Sequence, residues 1–175
     1  MTDLTARAAR IRLLMLDVDG TLTDGRLYLG SAGEELKAFQ VQDGLGIKLL
    51  RRHGIEVALV TARRSALVER RAAELGLEHV LQACGDKRAA LHALCEQVAV
   101  DPAQVAVMGD DLPDLPALAV AGLAAAPANA HPWVAGRVHW QARARGGEGA
   151  VRELCDLLLT AQGRVEAVLA EYLPQ

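Results

Sequence analysis

The sequence predicts an α/β protein built on a doubly wound parallel sheet, a Rossmann-like core of three layers with helices on both faces. Short apolar runs rich in valine, leucine and isoleucine alternate along the chain with amphipathic helical patterns. The connections between them are short, which implies right-handed crossovers between parallel strands. Apolar residues make up 51% of the chain and aromatic residues only 3%, so the core must consist of small aliphatic side chains on interleaved strands and helices.

The predicted elements begin with a strand over about residues 11–16. A β-hairpin is inserted after it over about residues 23–41, where apolar and polar residues alternate around a Gly-Ser-Ala-Gly turn. An amphipathic helix then starts at Asp43 and ends near the His-Gly pair at 53–54, a sequence typical of a C-terminal cap. The second strand of the main sheet follows over residues 55–60.

The later elements repeat the alternation of strand and helix. They are a helix over about 65–75 stopped by Gly76, a strand over about 80–83, a helix over 87–98, a strand from Val105, two short strands over 123–126 and 138–141, and a last helix over about 149–173 with an interruption at Gly163. The C-terminal helix and its preceding loop form the segment 146–175.

Size and charge restrict the class of protein. The 175 residues fit one domain, 1–175, that can bury roughly 70% of its unfolded surface. A net charge of −3 gives no general attraction for nucleic acid. No apolar run is long enough to span a membrane, and the first residues lack a secretion signal, so we expect a cytoplasmic protein. The three cysteines are widely spaced and are interpreted as reduced thiols in the core.

The first strand ends in two carboxylates, Asp17 and Asp19, followed by Gly20. Open α/β sheets bind ligands at the carboxyl ends of their strands, and a glycine with positive φ lets the chain turn so that both acids approach one ligand. Asp17 is then the nucleophile that forms an aspartyl-phosphate, and Asp19 protonates the leaving oxygen and later activates water. The alternative is that both acids only cap a turn, which Asp-Gly often does.

Two further strand ends supply what phosphoryl transfer still lacks. The hydroxyl and backbone amide of Thr61 can hold a phosphate oxygen at a helix start, although an ordinary N-cap role is also open. Lys87 opens a helix and can neutralise charge on the phosphate oxygens, although most single lysines are simply solvated. Both residues are therefore predicted to be catalytic.

A third strand end carries the acids Asp110, Asp111 and Asp114. Several carboxylates beside a phosphate would repel it unless a cation lay among them, and Mg²⁺ prefers oxygen ligands. The predicted ligands of Mg²⁺ are Asp17, the backbone carbonyl of Asp19, and Asp110. The sequence assigns no role to Asp111 or Asp114.

The ordered motifs DxDG[TV], Thr, Lys and GDDxxD resemble the haloacid dehalogenase (HAD) superfamily of phosphatases. A closer resemblance over almost the whole chain is to its capless, tetrameric 3-deoxy-D-manno-octulosonate 8-phosphate phosphatases. Segments 17–25, 35–39, 43–47 and 146–153 carry it. It implies a Mg²⁺-dependent phosphoric monoester hydrolase of lipopolysaccharide sugar synthesis that releases phosphate from a sugar acid phosphate, and a homotetramer. The last of these segments, 146–153, resembles a tail of the family that reaches towards an active site.

The resemblance also implies which residues line the substrate pocket. They are Gln40, Val41, Gln42, Asp43, Gly44, Lys48, Arg63, Arg71 and Lys87. Arg63 can bind a carboxylate with two hydrogen bonds, and the related nine-carbon enzymes tend to carry Glu at this position, so Arg63 favours the eight-carbon substrate. Gln42 and Glu148 stand where relatives often have Arg. This loss of positive charge leaves a nine-carbon sugar acid phosphate of the sialic-acid type open as the substrate.

The chain has no room for a separate cap domain between Asp19 and Thr61 or between Lys87 and Asp110. The active site is therefore expected to be open to solvent, and selectivity for the substrate must come from parts of the protein other than a cap domain. The apolar side chains of the hairpin would be a liability in a monomer, so we expect hairpins to pack together between subunits. The alternative is a monomer whose hairpin folds back on its own sheet.

Two rival functions remain open. A phospho-accepting receiver-like signalling domain also uses a doubly wound sheet, clustered acids, a Thr and a Lys, but it lacks the acid two residues after the phosphorylated one, which here is Asp19. A catalytically idle oligomerisation module is less compatible with a complete catalytic set. His131 precedes a proline and is interpreted as structural.

Overall fold

The computed structural model describes residues 3–31 and 35–173. In chain order its elements are α1 (Asp3–Ala8), β1 (Leu13–Leu16), β2 (Tyr28–Leu29), β3 (Glu35–Leu36), α2 (Val41–Arg52), β4 (Glu56–Val60), α3 (Ala66–Leu75), β5 (His79–Leu81), α4 (Lys87–Val98), β6 (Val105–Met108), α5 (Leu115–Leu118), β7 (Leu123–Ala126), α6 (Pro132–Ala135), β8 (Trp140–Gln141), α7 (Ala150–Ala161) and α8 (Val165–Ala170). Short 3₁₀ turns precede β6 (Pro102–Gln104) and α5 (Leu112–Asp114).

A parallel six-stranded sheet in the order β5-β4-β1-β6-β7-β8 forms the centre of the molecule. The central strands β1 and β6 are buried along their whole length, as their uninterrupted apolar sequences predict for strands covered on both faces. Successive side chains of β1 point to opposite faces, so Leu14 and Leu16 belong to one apolar layer and Leu13 and Met15 to the other. The predicted three-layer α/β fold is confirmed.

The helix α2 packs along α7 on one face of the sheet, while α4 and α5 cover the other face. Gly46 allows α2 and α7 to pack closely, because a Cβ there would lie 3.0 Å from the Cβ of Cys155. Cys95 and Cys155 are buried, Cys84 is half-buried, and all three are free thiols. Among the described residues no helix has the length and apolar character that a membrane crossing requires.

The inserted segment forms a separate two-stranded antiparallel sheet in which β2 pairs with β3. It stands away from the main sheet, and Leu29 and Leu36 are 72% and 67% exposed. The predicted turn falls partly on residues 32–34, which lie outside the described residues. In this structure Leu29 and Leu36 are therefore left exposed, whereas Phe39, near the end of the predicted hairpin segment, is partly buried against the core.

Several predicted elements differ from the structure in their bounds. The strand predicted over 80–83 is β5, His79–Leu81, and the helix predicted from Asp43 begins at Val41, inside the segment predicted as the hairpin. The last predicted helix is two helices, because the chain turns at Gly163 between α7 and α8. The predicted strand 138–141 is shortened to Trp140–Gln141, because the ring Nδ1 of His139 accepts the backbone N–H of Ala124, which a ladder partner would otherwise take. The short helices α1, α5 and α6 have no counterpart among the predicted elements.

Candidate active site

The catalytic residues predicted from three separate segments meet at the carboxyl edge of the sheet. Strands β4, β1 and β6 are neighbours, so the residues that follow them, Thr61, Asp17 and Asp110, lie at one edge. Gly20 closes the turn after β1 with φ +99, and a Cβ there would lie 2.1 Å from Oδ2 of Asp110. Glycine is therefore required for the first acidic loop to approach the second.

Lys87 lies between two carboxylates at the start of α4. Its Nζ is 2.5 Å from Oδ1 of Asp17 and 2.5 Å from Oδ1 of Asp114, and all three side chains are buried. Burial, together with the charges of Asp114 and Asp110, raises the pKa of Asp17 to about 7, although Lys87 acts in the opposite direction. Burial alone would lower the pKa of Lys87, but the two carboxylates raise it above its ordinary value. Lys87 is thus a fixed cation beside the predicted nucleophile.

Asp114 had no predicted role, and the structure makes it the anchor of the second acidic loop, residues 110–114. Its Oδ2 accepts the backbone N–H groups of Asp110 at 2.9 Å and Asp111 at 3.1 Å, while Oδ1 binds Lys87. Asp111 caps the same 3₁₀ turn by accepting the N–H of Leu112. The Asp-x-x-Asp spacing of this reciprocal capping box, with a proline inside the turn, is the sequence signal that identifies Asp114.

The acidic cluster has the composition of a Mg²⁺ site. Carboxylate oxygens of Asp17, Asp110 and Asp114 lie within 4.8 Å of one another. Since Asp114 is already bonded by Lys87 and two backbone amides, Asp17 and Asp110 have the oxygens that remain for a cation. The structure thus brings together the two predicted carboxylate ligands. The third predicted ligand, the carbonyl of Asp19, stays a prediction.

Asp19 is held by side chains from two other segments. Its Oδ1 forms an ion pair with the ammonium of Lys37, and the Thr61 hydroxyl lies 3.4 Å from its Oδ2. The Thr61 hydroxyl also accepts the backbone N–H of Arg63 at 3.2 Å. The Thr61 amide, however, donates to the carbonyl of Leu81, so only the hydroxyl of the two groups predicted to hold a phosphate remains for it.

Lys37 was missed from the sequence. It follows a two-residue strand of the hairpin and not a strand of the main sheet, so no strand-end pattern marks it. Only the return of the hairpin to the catalytic edge brings it to Asp19.

The first turn of α2 presents several of the residues predicted to bind substrate. Gln40 is the N-cap, and its side chain accepts the N–H of Gln42, while Val41 and Gln42 are exposed. Arg71 of α3 donates to the carbonyl of Gln40 at 3.5 Å and lies 5.7 Å from the ring centre of Phe39.

Gly44 leaves space for the guanidinium of Arg71 to lie against the first turn of α2. A Cβ on Gly44 would lie 2.3 Å from Nη2 of Arg71. Arg71 is therefore a positioned cation at the start of α2, in keeping with its predicted role.

Two predicted pocket residues lie elsewhere. Asp43 is 1% exposed and points into the α2–α7 interface, where Oδ1 accepts the N–H of Arg152 at 2.7 Å in the first turn of α7. Lys48 is exposed beside Arg51 and Gly76, at the far ends of α2 and α3. Neither side chain faces the carboxylate cluster in this chain, because α2 turns one to the interior and carries the other towards the opposite edge of the sheet.

The loop before α7 lies directly on the catalytic loop of the same chain. Gly147 donates its N–H to the carbonyl of Thr21 at 3.0 Å, and a Cβ on Gly146 would lie 1.7 Å from the carbonyl oxygen of Gly20. Glu148 is exposed and lies 3.9 Å from Arg145. The segment 146–149 therefore supports the turn that carries Asp19.

His131 has a structural position, as expected. Its Nδ1 accepts the N–H of Trp133 as the N-cap of α6, and its own backbone N–H donates to the carbonyl of Asp110 at 2.8 Å. It therefore fixes the backbone of the second acidic loop.

Comparison with known proteins gives consistent results. The model of the haloacid dehalogenase-like hydrolase family matches residues 46–122. The 3-deoxy-D-manno-octulosonate 8-phosphate phosphatase KdsC of Yersinia pestis is 50% identical over 164 residues, which cover 94% of this chain and 88% of that protein.

Solved structures agree with this match. A Xanthomonas campestris protein, XCC2798, has a TM-score of 0.97 and 57% identity over 99% of this chain and 95% of its own. The 3-deoxy-D-manno-octulosonate 8-phosphate phosphatase of Moraxella catarrhalis, solved in complex with a magnesium ion, a phosphate ion and a KDO molecule, has a TM-score of 0.96 and 41% identity over 99% of both chains.

We expect the affinity for Mg²⁺ to fall as the pH drops from about 7 to about 5. Burial and neighbouring acids raise the pKa of Asp17 to about 7 and that of Asp110 to about 6, so protons compete with the cation in this range. The increase in Tm caused by Mg²⁺ should be large at about pH 8 and small at about pH 5. Asp110→Asn should abolish the increase and Asp111→Asn, one residue along the chain, should keep it. An increase that is independent of pH would contradict the assignment.

Burial raises the pKa of Asp43 from 3.8 to about 6. Between these values the folded protein keeps a proton that the unfolded chain loses, so the free energy of unfolding falls as the pH rises from about 4 to about 6 and then levels off. Asp43→Asn keeps the oxygen that accepts the Arg152 N–H and carries no charge. Its free energy of unfolding relative to wild type should therefore rise by about 2 kcal/mol across this range. Urea unfolding measures it, with exposed Asp156→Asn as control. A constant difference would contradict the prediction.

Proposed function

The chain belongs to the haloacid dehalogenase-like hydrolases, in the branch of the 3-deoxy-D-manno-octulosonate 8-phosphate phosphatases, and we propose that it hydrolyses this sugar acid phosphate to 3-deoxy-D-manno-octulosonate and phosphate. The observation that carries the proposal is the position of Asp17, fixed by Lys87 beside two further carboxylates and two residues before Asp19. Such a reaction supplies the free sugar acid for lipopolysaccharide synthesis.

The first half-reaction transfers the phosphoryl group to the protein. A carboxylate oxygen of Asp17 attacks phosphorus, and the bond to the sugar oxygen breaks while Asp19 gives that oxygen its proton. Lys87 offsets the negative charge that collects near the nucleophile, and the Thr61 hydroxyl is available to a phosphoryl oxygen. Bound Mg²⁺ supplies the additional positive charge that lets an anionic substrate approach an anionic nucleophile.

The second half-reaction releases phosphate. Asp19, now a carboxylate, takes a proton from a water molecule, which attacks the phosphorus of the phosphoaspartate. The bond between phosphorus and the Asp17 oxygen breaks, and the free carboxylate returns. A domain that only accepts a phosphoryl group has no need of Asp19, so its fixed position favours turnover over signalling.

The substrate's carboxylate requires a cation apart from the metal site. Arg63 lies in the exposed loop after β4, and its backbone N–H is bonded to the Thr61 hydroxyl, which places it beside the catalytic edge. Arg71 is held at the N-terminal end of α2. We assign the carboxylate of the sugar acid to Arg63 because a guanidinium can bind it with two hydrogen bonds.

The protein is proposed to act as a homotetramer in the cytoplasm, with no nucleic-acid or membrane partner. Leu27, Tyr28, Leu29 and Leu36 of the hairpin form an exposed apolar surface in a single chain, and packing against hairpins of other copies would bury it. The three free thiols are consistent with a reducing compartment.

With Mg²⁺ present, Asp17→Asn should lower kcat for 3-deoxy-D-manno-octulosonate 8-phosphate by a factor of about 10³ or more, since no nucleophile remains. Asp19→Asn should also lower it, whereas the exposed Asp101→Asn should match wild type. Phosphate release is measured on this substrate, a nine-carbon sugar acid phosphate and a neutral hexose phosphate, and we expect the highest kcat/KM for the first. Unchanged turnover in Asp17→Asn would exclude the proposal.

Arg63→Ala should raise KM for the sugar acid phosphate by about tenfold and leave KM for 4-nitrophenyl phosphate unchanged, because only the first carries a carboxylate. The neighbouring exposed arginine provides the control, Arg64→Ala, which should alter neither value. Equal increases for both substrates would refute the carboxylate contact.

A further inference from the structure

Lys37 is a buried cation at the base of an exposed hairpin. Its side chain is 1% exposed, while Leu36, the residue before it, is 67% exposed. Burying an ammonium group is unfavourable unless a partner compensates it, and here that partner includes the carboxylate of Asp19. The hairpin thus reaches the active site through one charged side chain.

The contact gives the two oxygens of Asp19 different surroundings. Oδ1 is paired with the ammonium of Lys37, whereas Oδ2 lies 3.4 Å from the Thr61 hydroxyl. The direction of the carboxylate depends on the side-chain torsions of Asp19, which can adopt several staggered states on one backbone conformation. Contacts from the hairpin and from the end of β4 fix it together.

A comparable arrangement holds the other catalytic acid. Lys87 binds Oδ1 of Asp17, and Lys37 binds Oδ1 of Asp19, so each acid of the pair has a lysine from a different segment. A general acid must direct its proton at the leaving oxygen, and a small error in position costs a large factor in rate. The rate of turnover therefore depends on the orientation of the Asp19 carboxylate.

We propose that Lys37 is a positioning residue for Asp19: by pairing with Oδ1 it directs Oδ2 to the oxygen of the leaving sugar. The inference rests on the proposed function, in which Asp19 is the general acid. It adds a residue of the hairpin to the machinery of proton transfer and gives the hairpin a role beyond contact between subunits.

The test compares two leaving groups in the full-length protein with Mg²⁺. A sugar alkoxide needs a proton to leave, but 4-nitrophenolate does not. Asp19 also activates water in the second half-reaction, which is common to both substrates, so the comparison uses the rate of leaving-group release in a single turnover with enzyme in excess. Lys37→Met should lower this rate by about 10²-fold for 3-deoxy-D-manno-octulosonate 8-phosphate and by less than about tenfold for 4-nitrophenyl phosphate, with the half-saturating concentration for both within about threefold. Lys37→Arg should restore most of the loss. Arg88→Met removes an exposed cation next to Lys87 in sequence and should change neither substrate.

A double-mutant cycle isolates the interaction. If Lys37 acts through Asp19, then Lys37→Met should add no further loss of the single-turnover rate in an Asp19→Asn background. Equal loss of this rate for both leaving groups, a rise in the half-saturating concentration at a constant maximal rate, or additive losses in the cycle would overturn the proposal. Lys37→Gln takes the place of Lys37→Met if the latter lowers Tm, and the same outcomes apply.

The two proposals fail in different ways. If Asp19→Asn lowers the single-turnover rate of leaving-group release equally for both leaving groups, the general-acid role in the proposed function is wrong. If Asp19→Asn discriminates between leaving groups and Lys37→Met does not, only the role of Lys37 is wrong.

Discussion

Charge balance around Lys87 is the constraint on which the rest of the site depends. One ammonium group lies 2.5 Å from Asp17 and 2.5 Å from Asp114, and the oxygens of these acids and of Asp110 fall within 4.8 Å of one another. One lysine offsets only part of that negative charge, and the pKa of Asp17, raised to about 7 by burial and by neighbouring acids, reflects what remains. The site can accept an anionic phosphate only after the excess is neutralised, which makes cation binding and phosphatase chemistry parts of one electrostatic problem.

The order of the strands and the backbone contacts behind the catalytic loops keep these charged side chains together. Neighbouring parallel strands place the three catalytic loops at one edge, and Gly20 allows the first loop to touch Asp110. Behind that loop, Gly147 binds the carbonyl of Thr21, and the carboxylate of Asp43 caps the first turn of α7, the helix that this glycine segment precedes. In this structure Asp43 therefore supports the backbone behind the site.

Much of this could be predicted from the sequence, because strong local signals determine it. The helix Lys87–Val98 and the strand Leu123–Ala126 have the bounds that their caps and apolar runs predict, and the strand ends bring Asp17, Thr61, Lys87 and Asp110 together as expected. The features that could not be predicted depend on the direction in which individual side chains point. The ring of His139 takes the place of a ladder partner, Asp43 faces inward, and Lys37 reaches Asp19 only through the return of the hairpin.

Direct detection of the covalent intermediate tests the central claim most sharply. Asp19→Asn slows the hydrolysis of a phosphoaspartate, and 4-nitrophenyl phosphate can transfer its phosphoryl group without a proton donor. Rapid acid quenching of this variant after mixing with 4-nitrophenyl phosphate and Mg²⁺ should therefore trap the phosphorylated protein for peptide mass spectrometry. We expect one phosphoryl group on the peptide that contains Asp17, and none in the Asp17→Asn, Asp19→Asn double variant. A phosphoryl group on another residue would refute the mechanism. So would phosphate release by the wild-type protein when neither wild type nor Asp19→Asn yields a phosphorylated peptide after rapid quenching.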